Sequence, residues 1–407
     1  MTDTELELPQ GWVETEFRKI VKSISLTGKK LKQKEYLQSG KFPVIDQGQD
    51  FIGGFTDKKE LVVECKLPVI VFGDHTKIVK FVNQIFVVGA DGVKVLEPNL
   101  IFIPKLLYYF IHALPLPNKG YARHYQHLEK LMIKIPPLNE QKRIISKIEE
   151  LFSKVDSTKQ SLDKIKLQLE QYRYSYHNWI FHGNFKEKFN FSSNWEEKPL
   201  GKIFKIIGGG TPDTKKSQYW DGNIPWITSA DIHGIKNIIP RRRVSQLGID
   251  NSATHKIPPN SILVVTRVGL GKLAITSEPI CINQDIQAVI IDSNIVLPLF
   301  VLNYLSQTIQ IFRFRNQGTT ISGVTKKQLA DIPFFLPSLD EQEKIIGHME
   351  MAEARIQNSK SIVNSTLQNL QTMKMSVLKQ AFEGKLVPQD PNDEPASVLL
   401  EKIKLKN

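Results

Sequence analysis

The chain has 407 residues, 41% hydrophobic and 24% charged, with a formal net charge of +12. That length calls for two or three folded domains, and the balance excludes a fibrous or disordered chain. The basic excess permits a polyanionic partner without demanding one.

No run of about 18 apolar residues occurs, so no membrane span is expected. The opening "MTDTELELPQ" lacks an apolar h-region, so no secretory leader is expected either. Cys65 and Cys281 stand in different halves and form no CxxC. That usage argues against a disulfide scaffold or structural zinc and fits a reducing cytoplasm.

Residues 1–137 read as a first domain. Short β-branched runs such as "PVIVFG" lie between Gly, Asp, Asn and Pro turns, and "PKLLYYFIHAL" is a helical patch, a mixed α/β pattern. Residues 138–183 read as a long helix. It opens with "LNEQKRII" and carries an a/d seam of Ile148, Leu151, Val155, Leu162, Ile165 and Leu169, with Thr158 as a polar interruption. Residues 184–338 form a second α/β domain. Residues 339–384 repeat the helix from "LDEQEKII", with seam positions Met349, Ala352, Ile356, Val363, Leu370 and Met373. Residues 385–407 are a tail in which "EPASVLLEKIK" reads as a short amphipathic helix packed back on the body.

The recurrence is in register. Glu140 meets Glu341 at an offset of 201 residues, and the same offset relates each seam position, Ile165 with Thr366, Tyr172 with Met373 and Thr158 with Ser359 among them, and Gly183 with Gly384. Asn139 and Asp340 are expected N-caps, Glu140 and Glu341 suit the first turn, and the two glycines suit a left-handed C′ position. Each helix of about 44 residues reaches about 66 Å. Neither can bury its stripe alone. An antiparallel pair within the chain is the simplest arrangement, and coiled coils formed between chains are the alternative. The preceding domains correspond more loosely, "FPVI" at Phe42 with "IPWI" at Ile224 and "LPVIVFGDHTKIVKFV" with "NSILVVTRVGLGKLAI". A shared framework with divergent loops suits two readers of different targets.

Catalytic motifs are not found. "GGGTP" and "VGLGKLA" fail the GxxxxGK[ST] pattern and read as turns. His124 and His127 show no third metal ligand. "PDTKK" has no convincing downstream partner for nuclease chemistry. The basic residues suit nucleic acid instead. In the first domain the candidates are Lys29, Lys30, Lys77 and Arg123 for phosphates, with Gln47, Gln49 and His75 for base edges. In the second they are Lys215, Lys216, Arg241, Arg242, Arg243, Arg267, Lys272, Lys326 and Lys327, with Gln218 and Trp220 beside them. Each alone is more readily a solvated surface group, and the collective pattern carries the reading.

The chain resembles the specificity subunit of type I restriction–modification systems along nearly all its length. The resemblance rests on "PPLNEQKRIISKIEELFSKVD", "LPSLDEQEKIIGHMEMAEARI", "LKQAFEGKLVPQDPNDEPASVLLEKIK" and "IIGGGTPDTKKSQYWDGNIPWITSADI". It implies two mixed α/β target-recognition domains separated by an antiparallel coiled coil. It further implies a non-catalytic chain that reads a bipartite double-stranded DNA site. Two modification subunits would dock on the helices and carry the S-adenosylmethionine, and restriction subunits would complete the nuclease. A self-contained methyltransferase or nuclease, or a scaffold with no role on DNA, is the alternative.

Overall fold

The computed structural model describes residues 8–89, 92–114, 123–182, 185–189, 191, 195–315 and 323–404. The chain divides into two compact units, Met1–Asp163 with Asn364–Asn407, and Lys164–Val363.

The first unit contains two four-stranded sheets. One is antiparallel, in the order Val21–Ile24, Val93–Pro98, Val69–Gly73, Val79–Val82. The other runs Lys30–Leu31, Val87–Gly89, Phe42–Ile45, Gly54–Thr56, and its two central strands are parallel. The strand "VIVFG" is buried at all five positions, as a β-branched run covered on both faces should be. Val13–Glu16 pairs with Met132–Ile135 and closes the domain just before the first long helix, Leu138–His182.

The second unit repeats this plan. Its antiparallel sheet runs Lys205–Gly208, Ile286–Ile290, Ile262–Val265, Leu273–Ile275. Its mixed sheet runs Arg242–Val244, Ile224–Ile227, Ile280–Ile282, Lys256–Ile257, again with a parallel central pair. Glu196–Pro199 pairs with Pro333–Leu336 ahead of the second long helix, Leu339–Phe382. The edge strands differ: Lys30–Leu31 lies parallel to its neighbour, whereas Lys256–Ile257 lies antiparallel.

The two long helices run antiparallel in each unit. In the first, Ile144 and Ile148 from the start of one helix share a core with Val377, Leu378 and Ala381 from the end of the other. Lys374 Nζ meets Asp156 Oδ1 at 2.6 Å. In the second, Ile180 and Phe181 share a core with Ile345 and Met349, and Lys360 pairs with Glu170. Among the seam residues, Ile148, Val155, Met349, Ala352, Ile356 and Val363 are buried, while Leu151, Leu162, Leu169 and Leu370 are half-buried. Ile165 and Met373 depart from the expected seam, at 39% and 48% exposed. A helix of 3.6 residues per turn drifts by about 20° per heptad from a strict 3.5 repeat. The buried stripe therefore passes from Leu370 to Lys374, whose ammonium lies 4.9 Å from the Phe152 ring centroid, and on to Val377 and Leu378.

The helix ends correct a second expectation. The cap of the second helix is Ser338, not Asp340. Ser338 Oγ accepts from the Glu341 N–H at 3.4 Å, and Glu341 Oε2 accepts from the Ser338 N–H at 3.0 Å, a reciprocal capping box. The first helix starts at Leu138 after two prolines, so Asn139 already lies inside it. At the far end of the second helix Gly384 has φ +70°. Gly384 N–H donates to Ala381 O, and Lys385 N–H donates to Gln380 O at 2.8 Å, the double bond of a Schellman stop. Gly183 lies outside the described residues.

The tail forms the helix Ala396–Lys404. Ala396 is buried in the first unit's core and its N–H donates to Gly11 O at 2.9 Å, while Arg143 holds Asp393 at 2.6 Å. No helix among the described residues is long and apolar enough to cross a membrane.

Candidate nucleic-acid interface

In both domains the loops leaving the central parallel strands collect polar side chains. In the first, strand Phe42–Ile45 leads into Asp46, Gln47, Gly48, Gln49, Asp50 and Phe51. Asp46 Oδ1 accepts from the Gly48 N–H at 2.8 Å, which makes an Asx turn, and its Oδ2 accepts from Tyr36 Oη at 3.2 Å. Lys80, 5% exposed, approaches Asp46 at 3.6 Å and donates to Asp50 O. Burial pushes the Lys80 ammonium below the usual lysine range, and Asp46 opposes that shift.

In the second domain, strand Ile224–Ile227 leads into a turn with its own capping box. Asp231, 2% exposed, accepts from the Thr228 N–H at 2.7 Å, from the Thr228 hydroxyl and from Arg241 Nε at 2.6 Å. Burial works against ionisation of Asp231, but Thr228 and Arg241 outweigh it and hold the carboxyl below its usual range. The short hairpin Ile232–Gly234 with Asn237–Ile238 follows.

The candidate contact residues differ in exposure and in the contacts they make. Lys30, Gln49, Arg123, Lys215, Gln218, Arg267, Lys326 and Lys327 are exposed. Gln47 is half-buried and accepts from the His75 N–H at 3.4 Å, and Lys77 holds a turn at φ +60°. Trp220 stands edge-on to Trp226 at 5.1 Å, with the Arg242 guanidinium 3.8 Å from its ring centroid. Lys216 reaches Tyr219 Oη at 3.2 Å, and Arg243 donates to Asn223 O. The Val324 N–H donates to Thr266 O at 2.8 Å, which brings the Lys326–Ala330 helix beside Arg267.

Three expected phosphate contacts are tied down internally. Lys29 Nζ donates to Glu60 O and Val62 O and pairs with Glu64 at 3.1 Å. Arg241 is bound to Asp231. Lys272 Nζ donates to Ser229 O at 2.9 Å and Ile232 O at 3.2 Å. In each case a cation finds carbonyls or a carboxylate brought close by the fold, which sequence spacing does not reveal.

The glycines of "GGGTP" also have a packing role. A Cβ on Gly209 would lie 2.1 Å from Ile282 O, and the Gly210 N–H donates to that carbonyl at 3.0 Å. His124 is buried, and no group of three or more metal-ligating side chains gathers among the described residues.

Sequence reasoning missed the helix-start glutamines. Gln141 is fully buried; its Nε2 donates to Ile101 O and Pro136 O, and its Oε1 accepts from the Ile103 N–H. Gln342 does the same with Ile295 O, Pro337 O and the Leu297 N–H. Recurrence of "EQ" was the signal; two of each glutamine's three partners lie 38 to 47 residues upstream. Tyr36, Asp46 and Lys80 were also missed, because nothing in their spacing joins them.

Fold and surface together define a duplicated protein: two double-sheet domains, each leading into one of a pair of antiparallel helices. The family model described as type I restriction modification DNA specificity domain matches residues 9–167 and 192–366, and the chain belongs to that family. It is 28% identical over 333 residues to the type I restriction enzyme EcoR124I/EcoR124II specificity subunit of Escherichia coli, spanning 78% of this chain and 80% of that one. A solved chain from work on complex assembly and conformational transition of the type I R-M system aligns with TM-score 0.65 at 20% identity, over 93% of this chain and 100% of that one. The HsdS subunit from Thermoanaerobacter tengcongensis aligns with TM-score 0.56 at 20% identity, over 95% and 100%. The last two likenesses establish the fold.

Proposed function

We propose that this chain is the non-catalytic DNA sequence-specificity subunit of a type I restriction–modification complex. Each double-sheet domain reads one half of a bipartite double-stranded site, and the antiparallel helices set the unread spacer. The observation that carries this reading is that one strand plan occurs twice while the loops leaving its parallel strands differ in residues and length. Duplicate frameworks with unlike loops suit two different half-sites. The repeated helices offer repeated surfaces, which suits two copies of a modification subunit. Those subunits bind S-adenosylmethionine and supply the methyl group, and restriction subunits complete the nuclease in the cytoplasm. Phosphates are met by exposed cations such as Lys30, Arg123, Lys215, Arg267, Lys326 and Lys327.

The test is a map of methylated adenines in cells with and without this gene, in the presence of its modification partner. Loss of one bipartite motif on deletion is expected. An unchanged methylation map, or methylation by the purified chain alone, overturns the reading.

A further inference from the structure

The two domains share a fastening that the family resemblance does not assign. Strand Val79–Val82 in the first unit and Leu273–Ile275 in the second hold the same place, each antiparallel to the strand before it. Lys80 stands opposite Val71, which joins the core between the sheets, whereas Leu273 stands opposite Val264 on the helix-facing side, so the two lysines correspond in what they bond and not in register. Lys272 is one residue before Leu273. A lysine in or just before the matching strand acts alike in both units. Lys80 donates to Asp50 O, and Lys272 donates to Ser229 O and Ile232 O. In both cases the acceptors are main-chain carbonyls of the segment leaving the central parallel strand.

The sheet does not need a lysine there. On the inter-sheet face of the matching strand, Ala274 is an ordinary buried core residue. Burying an ammonium is costly unless it is paired and hydrogen-bonded, and Lys80 recovers that cost through Asp46 and Asp50. What the lysine adds is a fixed loop. The fastened segments are unlike each other: "DQGQDFIG" from Asp46 and "TSADIHGIKNII" from Thr228. Each shows solvent a mixture suited to base edges. Gln49 is exposed beside Phe51, which is 46% exposed. His233 and Asn237 are exposed beside Ile235, which is 47% exposed. Amides pair in bidentate fashion with adenine, and apolar tips contact thymine methyls or wedge at base steps.

We propose that segments 46–53 and 228–239 are the base-reading elements of the two half-sites, and that Lys80 and Lys272 are positioning residues that hold them in reading geometry. This rests on the specificity-subunit reading above. A fixed loop loses less entropy on binding and places its amides within the narrow tolerance that discrimination needs.

The experiment uses the full chain co-expressed with its modification partner, with methylated motifs read by sequencing. The paired surface variant Gln49→Ala/Phe51→Ala is expected to relax one half of the motif and leave the other intact. His233→Ala/Asn237→Ala is expected to do the converse. Discrimination at an affected base should fall about 5- to 150-fold, the range for loss of one bidentate contact. Lys272→Met should relax the same half as His233→Ala/Asn237→Ala, with partial rescue by Lys272→Arg. Lys80→Met should follow Gln49→Ala/Phe51→Ala; should its buried site not tolerate methionine, the surface variants decide. A merely structural role would lower methylation of all sites together and leave the motif unchanged. An unchanged motif in both surface variants, in a complex that still methylates the wild-type bipartite site, overturns this inference alone. A wild-type complex that methylates no bipartite sequence overturns the specificity reading itself.

Discussion

Replacing Gln141 with leucine tests how the reading domain is joined to its helix. The buried amide holds three main-chain groups: Ile103 N–H at 2.8 Å, Ile101 O at 2.8 Å and Pro136 O at 3.0 Å. Leucine is similar in volume but offers neither donor nor acceptor. Three bonds at about 1 kcal/mol each set a loss of about 3 kcal/mol, and leaving the Ile103 N–H without its acceptor raises it towards about 5 kcal/mol. For a unit of this size each kcal/mol shifts Tm by about 2–4 °C. The first unit's transition should therefore fall by about 6–12 °C or more in scanning calorimetry of the full chain. Gln342→Leu should produce a comparable fall in the second unit, since its three bonds are the same in kind. A fall below about 3 °C for Gln141→Leu would refute the claim that this side chain locks the domain to the helix.

Glu140 lies next to that lock, 1% exposed, accepting from Trp12 Nε1 at 3.0 Å. Burial pushes its carboxyl above the usual range, with the Trp12 bond and Arg143 opposing. A raised folded value stabilises the chain at pH below the unfolded glutamate value, and that contribution is lost as pH rises through the folded value. Glu140→Gln should thus be more stable than wild type near pH 7 and lose its advantage near pH 4, as read from Tm against pH; a constant difference would contradict this. Arg143→Ala should cost about 1–2 kcal/mol by breaking the pair with Asp393, and limited proteolysis should then cut within 385–404 faster than in wild type. Arg143 holds the Asp393 carboxyl below its usual range, so that pair's contribution is present above the unfolded aspartate value and fades as pH falls through the folded one. Removing one heptad from each long helix shortens it by about 10 Å, about three base pairs at 3.4 Å each. The methylated motif should change its spacer or vanish, and retention of the original spacer would contradict the ruler role.

Local patterns in this chain were legible and distant partnerships were not. The long helices could be read because their stripe and terminator recur at one offset, and Gly384 ends its helix as its position implied. The seam could be followed only while a heptad approximates the true helical repeat, which is why Ile165 and Met373 turn outward. Asp340 looked like a cap because it is acidic and near the start, but Ser338 reaches Glu341 first. For the basic residues, charge could be read and orientation could not. Lys29 and Lys272 are held by carbonyls about thirty to forty residues away in sequence, and only chain closure reveals that they are occupied.

The division of the chain also sets an order of events during synthesis. The second unit is one continuous stretch, Lys164–Val363, so all of it has been synthesised before the last part of the first unit is made. The first unit begins earlier but needs Val377, Leu378, Ala381 and Ala396 to complete its core. The domain made first is therefore finished last. Until then it presents Ile144, Ile148 and their neighbours uncovered, the kind of exposed apolar surface at which growing chains associate wrongly. Truncation near the C-terminus would consequently damage the N-terminal reader while sparing the one encoded closer to the break.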